Sequence, residues 1–356
     1  MHMHVPAAAS AAAVYVTSYG GGLFPGDSVR MHLHAHHGST AQVASQGFNK
    51  VHAADPHAQR RRLEEARAQQ QQPQSALSSI SPSRTDTFST QSVDAHIAPD
   101  ALFLWLPEPT MIYAGASFRS TSVIELQCTS SSCGSVVWLD WLYAGRTARG
   151  EVFQFDAYHN RTHVHAKINS SSEGNEELVP IILEALTLEQ TTYTADAADK
   201  AHTSHNGQGS AAPSSLATRL APYHSYVSVL LLGPRVAALA ASIHAHVSRS
   251  RVDAVPSVSR HGRAGASASD PSASSRMPRV MFSSQWIDVP IESVNHSRSP
   301  SASAPPAVPS PGPARLTGIY LRVSSVTLEE SAAVLRDYLS SLDGIATVPT
   351  PWQMFS

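Results

Sequence analysis

The 356-residue sequence predicts a mainly β chain with a few helices and long disordered insertions. Short stretches rich in β-branched and aromatic residues recur at close spacing, several with period-two alternation. Helical patterns are few. Between the ordered blocks lie four Ser-, Ala-, Pro- or Gln-rich stretches that cannot bury enough apolar surface to offset their ordering entropy. Many short strands with few helices fit a sandwich, a barrel or a solenoid. No fixed repeat period singles out the last.

The strands are read in order. Val14–Tyr19 is β-branched and aromatic. Val29–Ala35 alternates, with Val29, Met31, Leu33 and Ala35 on one face and Arg30, His32 and His34 on the other. Gln42–Ser45 follows a turn at His37-Gly38. Ala101–Leu106, Ser122–Gln127, Ser135–Tyr143, Thr162–Ile168, Tyr226–Leu232, Arg279–Phe282 and Gly318–Val323 read the same way. Three helices are expected. Leu178–Leu186 has Pro180 in a first-turn position, and Val236–Val247 is Ala-rich behind Gly233-Pro234. In Thr327–Leu342, Leu328, Val334, Leu335, Tyr338, Leu339 and Leu342 form an apolar stripe, and Thr327 with Glu330 matches a capping box.

The insertions fall at about 54–90, 195–215, 248–276 and 295–313. The first contains Gln69–Gln72 and a charged piece, Arg60–Arg67, that suits a short solvated helix. Each is flanked by ordered-looking sequence, so all four read as loops extruded from one domain spanning 1–356.

Composition narrows the function classes. A hydrophobic fraction of 42% supports a sizeable core. The net charge of −2 excludes a global basic bias toward nucleic acid. The two cysteines, Cys128 and Cys133, bracket a short polar loop and read as ordinary thiols, since no second pair completes a four-ligand metal site. Met1–Ala13 lacks the charged start of a signal peptide. No run reaches the roughly 20 apolar residues of a membrane span, because Val227–Ile243 is broken by Gly233, Pro234 and Arg235. The sequons at Asn160, Asn169 and Asn295 then read as chance matches, and a cytoplasmic location is expected. The phosphate-binding P-loop, H-E-x-x-H and G-x-S-x-G are all absent from the sequence.

Three segments carry more information. Tyr19-Gly20-Gly21-Gly22-Leu23-Phe24-Pro25-Gly26-Asp27 joins two strands through glycines that permit positive φ, with a Pro-Gly turn. Ala44–Val51 follows. Trp138-Leu139-Asp140-Trp141 then runs on through Gly145-Arg146-Thr147-Ala148-Arg149-Gly150-Glu151. The last resembles the central G-R-x-A-R-G-E signature of the UreD (UreH) urease accessory proteins. The first is similar to that family's early G-G-G-L-x-x-G-D turn, and Ser45-Gln46 through Lys50-Val51 to its T-Q-x-x-x-K-V/I segment. Ala98–Ala101, Trp105–Pro109 and Tyr113–Arg119 match in the same order, and Leu232-Gly233-Pro234 and Ile319–Val323 more loosely. Ser120 stands where the family commonly has Gln. The family has further strands ahead of the glycine turn, whereas about 13 residues precede Val14 here, so N-terminal strands are expected to be missing.

The resemblance implies an elongated β-solenoid-like, multi-layer fold with a couple of helices and no catalysis of its own. It implies a scaffold that binds UreF-type and UreG-type partners, docks on apo-urease and passes Ni²⁺ through an internal water-filled tunnel, with no tightly bound cofactor. Ion transit requires oxygen or imidazole ligands that bind weakly and in succession. Asp27, Glu108, Asp140 and Glu151 are the acids inside family-like motifs. Asp140 lies within a strand between two tryptophans, so if it faces inward it must pair or meet water, with Arg146 and Arg149 as candidate partners. Gly20, Gly21, Gly22 and Gly26 shape the early turn. Turn-fastening or ion-pairing is the plainer role for each of the acids. His32, His34, His36 and His37 cluster, and the first three share a strand face. Two other readings are a β-solenoid carbohydrate-active enzyme using Asp140 and Glu151 as paired carboxylates, and a plain interaction module.

Overall fold

The structure, a computed structural model, describes residues 2–4, 11–17, 21–54, 88–129, 131–169, 176–190, 215–253, 278–291 and 314–346. The 295–313 insertion lies outside these residues, as do Arg60–Arg67, Gln69–Gln72 and most of the other three insertions. At their described margins, Phe88–Thr90 opens a strand and 248–253 continue a helix.

The strands are β1 (His2–His4), β2 (Ala11–Val16), β3 (Ser28–Ala35), β4 (Thr40–Ser45), β5 (Asn49–Val51), β6 (Phe88–Ile97), β7 (Leu102–Leu106) and β8 (Thr110–Ile112). They continue as β9 (Ser117–Cys128), β10 (Ser135–Tyr143), β11 (Ala157–Asn169), β12 (Glu176–Glu189), β13 (Ser225–Leu232), β14 (Val280–Ile291) and β15 (Ala314–Ser325). One sheet runs β1-β3-β6-β9-β11-β12, the other β14-β15-β13-β10-β7-β4-β2, with the short pair β5 and β8 beside β10. From β3 to β11 the longer strands alternate between the two sheets, and within each sheet these neighbours pair in parallel. The chain thus winds from sheet to sheet and back. The later strands add in antiparallel fashion.

Period-two alternation decides what each face buries. Met31, Val93, Ile124 and Val164 of the first sheet meet Val43, Trp105, Trp138 and Leu230 of the second in one core between the sheets. The far side of the second sheet carries Leu104, Leu139, Val229 and Leu321, and it is covered by α2 (Ala237–Asp253), α3 (Leu328–Leu339) and α4 (Leu342–Ala346). A short α1 (Leu216–Leu220) packs by Leu216 into a third cluster around Phe153 and Phe155. The predicted C-terminal helix is α3 plus α4, and the capping box is present: Thr327 Oγ1 accepts from the Glu330 N–H at 3.3 Å, and Glu330 Oε2 from the Thr327 N–H at 3.1 Å.

Two expectations are corrected. Leu178–Leu186 is not a helix but the middle of β12. Its residues alternate between exposed and half-buried, so its apolar positions follow period two. Pro180 is tolerated because β12 is an edge strand and Pro180 sits beside a register shift opposite Val164/His165. Cys128 and Cys133 are not separate thiols. They face each other across an antiparallel bridge, Cα–Cα 4.1 Å, and form a disulfide that closes the polar loop between β9 and β10.

Candidate functional site

In β10 the alternation sends Val137, Leu139 and Trp141 toward the helices and Val136, Trp138 and Asp140 toward the opposing sheet. A carboxylate therefore stands among residues that would otherwise all be apolar. The facing strands answer it. Thr162 of β11 donates its hydroxyl to Asp140 Oδ2 at 3.1 Å, and Asn160 adds a second side-chain hydrogen bond. Burial pushes the Asp140 carboxyl above the ordinary carboxylate range. The Asn160 and Thr162 hydrogen bonds and the nearby Trp138 indole oppose that shift, and Glu184 adds to it. Among the described residues the Trp138 N–H does not reach hydrogen-bond geometry with any group, and Asn160 Oδ1 is likewise buried without a partner. Buried polar atoms in that state are satisfied by water or by a bound species.

Polar residues line up in register on both inner faces. On the first sheet Gln91, Ser120 and Asn160 are side by side, as are Ser122, Thr162 and Glu184. On the second, Asp140 pairs with Ser228, and Ser228 with Arg322. Arg322 reaches across to Glu184 at 2.6 Å. The polar stripe coincides with three cavities. One of about 100 Å³ is lined by Gln91, Ser120, Asp140, Tyr158 and Asn160 among others. A second, about 130 Å³, shares Asp140, Tyr158 and Asn160 with it and adds Glu184, Tyr320 and Arg322. A third, about 340 Å³, shares Glu184 and Tyr320 with the second. Each has room for several waters. Burial raises the Tyr158 and Tyr320 phenols well above their usual range, so both stay protonated donors.

The other acids lie elsewhere. Asp27 is exposed and fastens the glycine turn, its Oδ2 accepting from the Phe24 N–H at 2.8 Å. In that turn Gly21, Gly22 and Gly26 all have positive φ, and a Cβ on Gly22 would stand 2.3 Å from the Lys50 carbonyl oxygen; Gly20 lies outside the described residues. Glu108 sits between Pro107 and Pro109, its backbone N–H donating to Ser45 Oγ at 2.7 Å, and burial raises its carboxyl. Of the Pro107-Glu108-Pro109 run, only Pro107 lines the first cavity.

The pairing expected between Asp140 and Arg146 or Arg149 is corrected. Arg146 instead holds Glu151 with two hydrogen bonds, Nε to Oε2 at 2.8 Å and Nη2 to Oε1, and lies over the Tyr113 ring at 4.3 Å. That partner lowers the Glu151 carboxyl. Arg149 closes a 3-10 turn, Thr147–Arg149, that ends on Gly150 at φ 76°. The G-R-x-A-R-G-E run is therefore a braced loop, and Glu151 lines none of the three cavities. Removing either partner in Arg146→Ala or Glu151→Ala is expected to cost about 1 kcal/mol, because both groups are partly solvated. A double-mutant cycle in urea should show that the two losses do not add; full additivity would mean that the pair is not coupled.

The residues missed from sequence are Asn160, Thr162, Glu184, Tyr320 and Arg322. Their signal was the polar residue at an inward position of a strand, and Glu184 was hidden by the helical reading of its segment. Among the described residues no group of three metal-ligating side chains converges on a point, and no helix is long and apolar enough to cross a membrane.

Comparison with known proteins adds a family to this geometry. The chain is 25% identical to the urease accessory protein UreD of Sorangium cellulosum over 65% of its own length and 54% of that protein. It is 26% identical to urease accessory protein 4 of Cryptococcus neoformans var. grubii, over 65% and 61%. It is 31% identical to the UreD of an Anaeromyxobacter species, over 41% and 38%. The chain thus spans 38% to 61% of the length of these curated relatives. The family described as UreD urease accessory protein matches residues 1–280, well over half the chain and including every strand of the polar stripe before β14 and β15, so the chain belongs to the UreD urease accessory protein family.

Proposed function

We propose that this protein is a non-catalytic scaffold in urease maturation, and that Ni²⁺ moves through the polar stripe between its sheets toward apo-urease. The winding of the chain between two parallel-paired sheets suits the elongated, solenoid-like body expected from the resemblance. One observation carries the transit reading: Asp140, a half-buried carboxylate whose pKa is pushed up by desolvation, stands where two cavities share a wall. A raised carboxyl exchanges proton and metal readily, and with isolated oxygen ligands spaced along a path it binds too weakly to trap the ion. Asp140 and Asn160 Oδ1 are such ligands, and Glu184, held by Arg322 at 2.6 Å, stands next along the path. Nickel here is cargo. UreF-type and UreG-type proteins and apo-urease are the partners, because nothing in the chain binds GTP by a P-loop.

The test is co-expression with UreF-type and UreG-type proteins and apo-urease from the same source, followed by urease activity and nickel content. Asp140→Ala is expected to lower both by at least ~10-fold, the scale of a lost metal contact, while pull-down of the partners persists. Full activation by the variant would remove Asp140 from the path. Loss of assembly would reassign it to an interaction surface.

A further inference from the structure

The outward face of the first sheet carries a charge pattern that the stripe between the sheets does not explain. Met31, Val93, Ile124 and Val164 face the core, so the alternate positions of β3, β6, β9 and β11 point away from it. Parallel in-register pairing gathers residues scattered over the sequence into rows on that face. One row sets Thr90 of β6 beside Arg119 of β9, and Arg119 beside His159 of β11. The next sets Arg30 of β3 beside Ser92, Ser92 beside Thr121, and Thr121 beside Arg161. Arg30, Arg119 and Arg161 are exposed, and no residue named in these two rows is acidic.

The acids around this cluster have partners of their own. Asp94, one row further on, is 3.2 Å from His32 Nδ1. Glu189 Oε1 meets His159 Nε2 at 2.7 Å, and Asp27 fastens the glycine turn. Arg119 lies over the Phe88 ring at 4.6 Å. A guanidinium steadied over a ring keeps its N–H groups for a ligand, and its planar fork matches a carboxylate bidentately. With strands about 4.8 Å apart and same-face residues about 6.6 Å apart, Arg119 stands roughly 8 Å from Arg161, and Arg30 roughly 14 Å from Arg161. Side chains two and four residues apart on an extended chain are separated by about 7 and 13 Å, so carboxylates at alternate residues meet these arginines.

We propose that this face is a docking surface for an acidic protein segment, extended and with carboxylates at alternate residues. Arg119 and Arg161 are its principal contacts, and Arg30 stands at its rim. The hydroxyls of Thr90, Ser92 and Thr121 lie between them and supply further donors. Charge and spacing decide the kind of partner. Three arginines are fewer than the roughly four to eight basic residues that recognise an anionic membrane. The net charge of −2 gives no long-range pull on nucleic acid. The surface lies on the opposite side of the first sheet from the Asp140 stripe and does not rest on the transit reading.

The experiment uses the full chain and a fluorescein-labelled peptide of alternating glutamate and serine, followed by fluorescence anisotropy at low and at physiological salt. Saturable binding that weakens with salt is expected. Arg119→Glu/Arg161→Glu should weaken it at least ~10-fold, because like charges then face each other. Arg249→Glu/Arg336→Glu makes the same change of net charge on α2 and α3, on the far side of the second sheet, and should leave binding nearly unchanged. Arg119→Lys/Arg161→Lys keeps the charge without the fork, and its affinity should fall between the two. Unchanged melting and far-ultraviolet dichroism would show that the variants fold. No saturable binding, or equal losses in the two charge-reversed pairs, overturns the proposal. Tighter capture by phosphatidylserine vesicles or by a DNA duplex than by the peptide also overturns it, in favour of a general polyanion surface. Asp140→Ala should bind the peptide as the wild type does, so failure here leaves the urease activation test untouched.

Discussion

The Asp140→Asn variant is expected to melt above the wild type at neutral pH while losing urease activation. The carboxylate sits between two sheets, where ionisation is penalised by burial and by the nearby Glu184. Its compensations are hydrogen bonds from Thr162 and Asn160, and among the described residues no cationic side chain pairs with it. An amide of the same shape keeps one acceptor for Thr162 without the desolvated charge. The gain is about 1–3 kcal/mol, the usual scale for an incompletely compensated buried polar group. At about 2–4 °C per kcal/mol for a domain of this size, it is readable in a thermal melt.

The pH dependence supplies the sign. A carboxyl whose folded pKa lies above its unfolded value destabilises the fold at pH above the folded pKa, and the penalty is relieved as pH falls through it. The gap between variant and wild type should therefore be widest near neutrality and close toward acid. A variant that melts below the wild type at neutral pH would make Asp140 a net structural asset and weaken the case that the site is kept at a cost to stability for function.

Asp140 was legible because an acid inside an apolar strand contradicts its surroundings. Its partners were not, because they lie on strands paired across the sandwich and carry no local contradiction. Thr162 and Asn160 are ordinary strand residues until β11 is known to face β10. Glu184 was concealed because apolar residues dense enough for an edge strand also satisfy a short helical stripe, and Pro180 suits a helix start as well as an edge strand. The capping box at Thr327 was readable because its logic spans four residues. The brace from Arg146 to Glu151 spans six residues and was legible in part: the sequence suggests Glu151 joins the network of Arg146 and Arg149, but pattern alone does not say which acid an arginine will choose.

Gly233→Ala is expected to cost about 2–6 kcal/mol, the largest loss of any single methyl group considered. Gly233 ends β13 at φ 111°, a conformation that costs a side-chain-bearing residue about 1–3 kcal/mol. A Cβ there would lie 2.5 Å from the Gly134 carbonyl oxygen and 2.7 Å from Ser135 Cα, and overpacking against such atoms adds a further roughly 1–3 kcal/mol. Backbone cannot swing aside as a flexible side chain can. Any shift would also strain what the corner holds. The Gly233 N–H donates to the Thr317 carbonyl at 3.0 Å, and the Arg235 N–H to Ser135 Oγ at 3.0 Å. The Arg235 guanidinium donates to the carbonyls of Ser39, Asp100 and Ile345 at 3.3, 3.4 and 3.1 Å. One turn thus ties strand β13 to helix α4 and to two loops of the parallel region. Gly38→Ala is the control: its φ is 68°, but a Cβ there meets nothing within 4 Å, so only the conformational cost of about 1–2 kcal/mol remains. Urea midpoints for the two variants separate the steric part from the conformational part. If Gly233→Ala loses no more than Gly38→Ala, β13 and β10 can part without penalty, and the corner does not fix the second sheet against its helices.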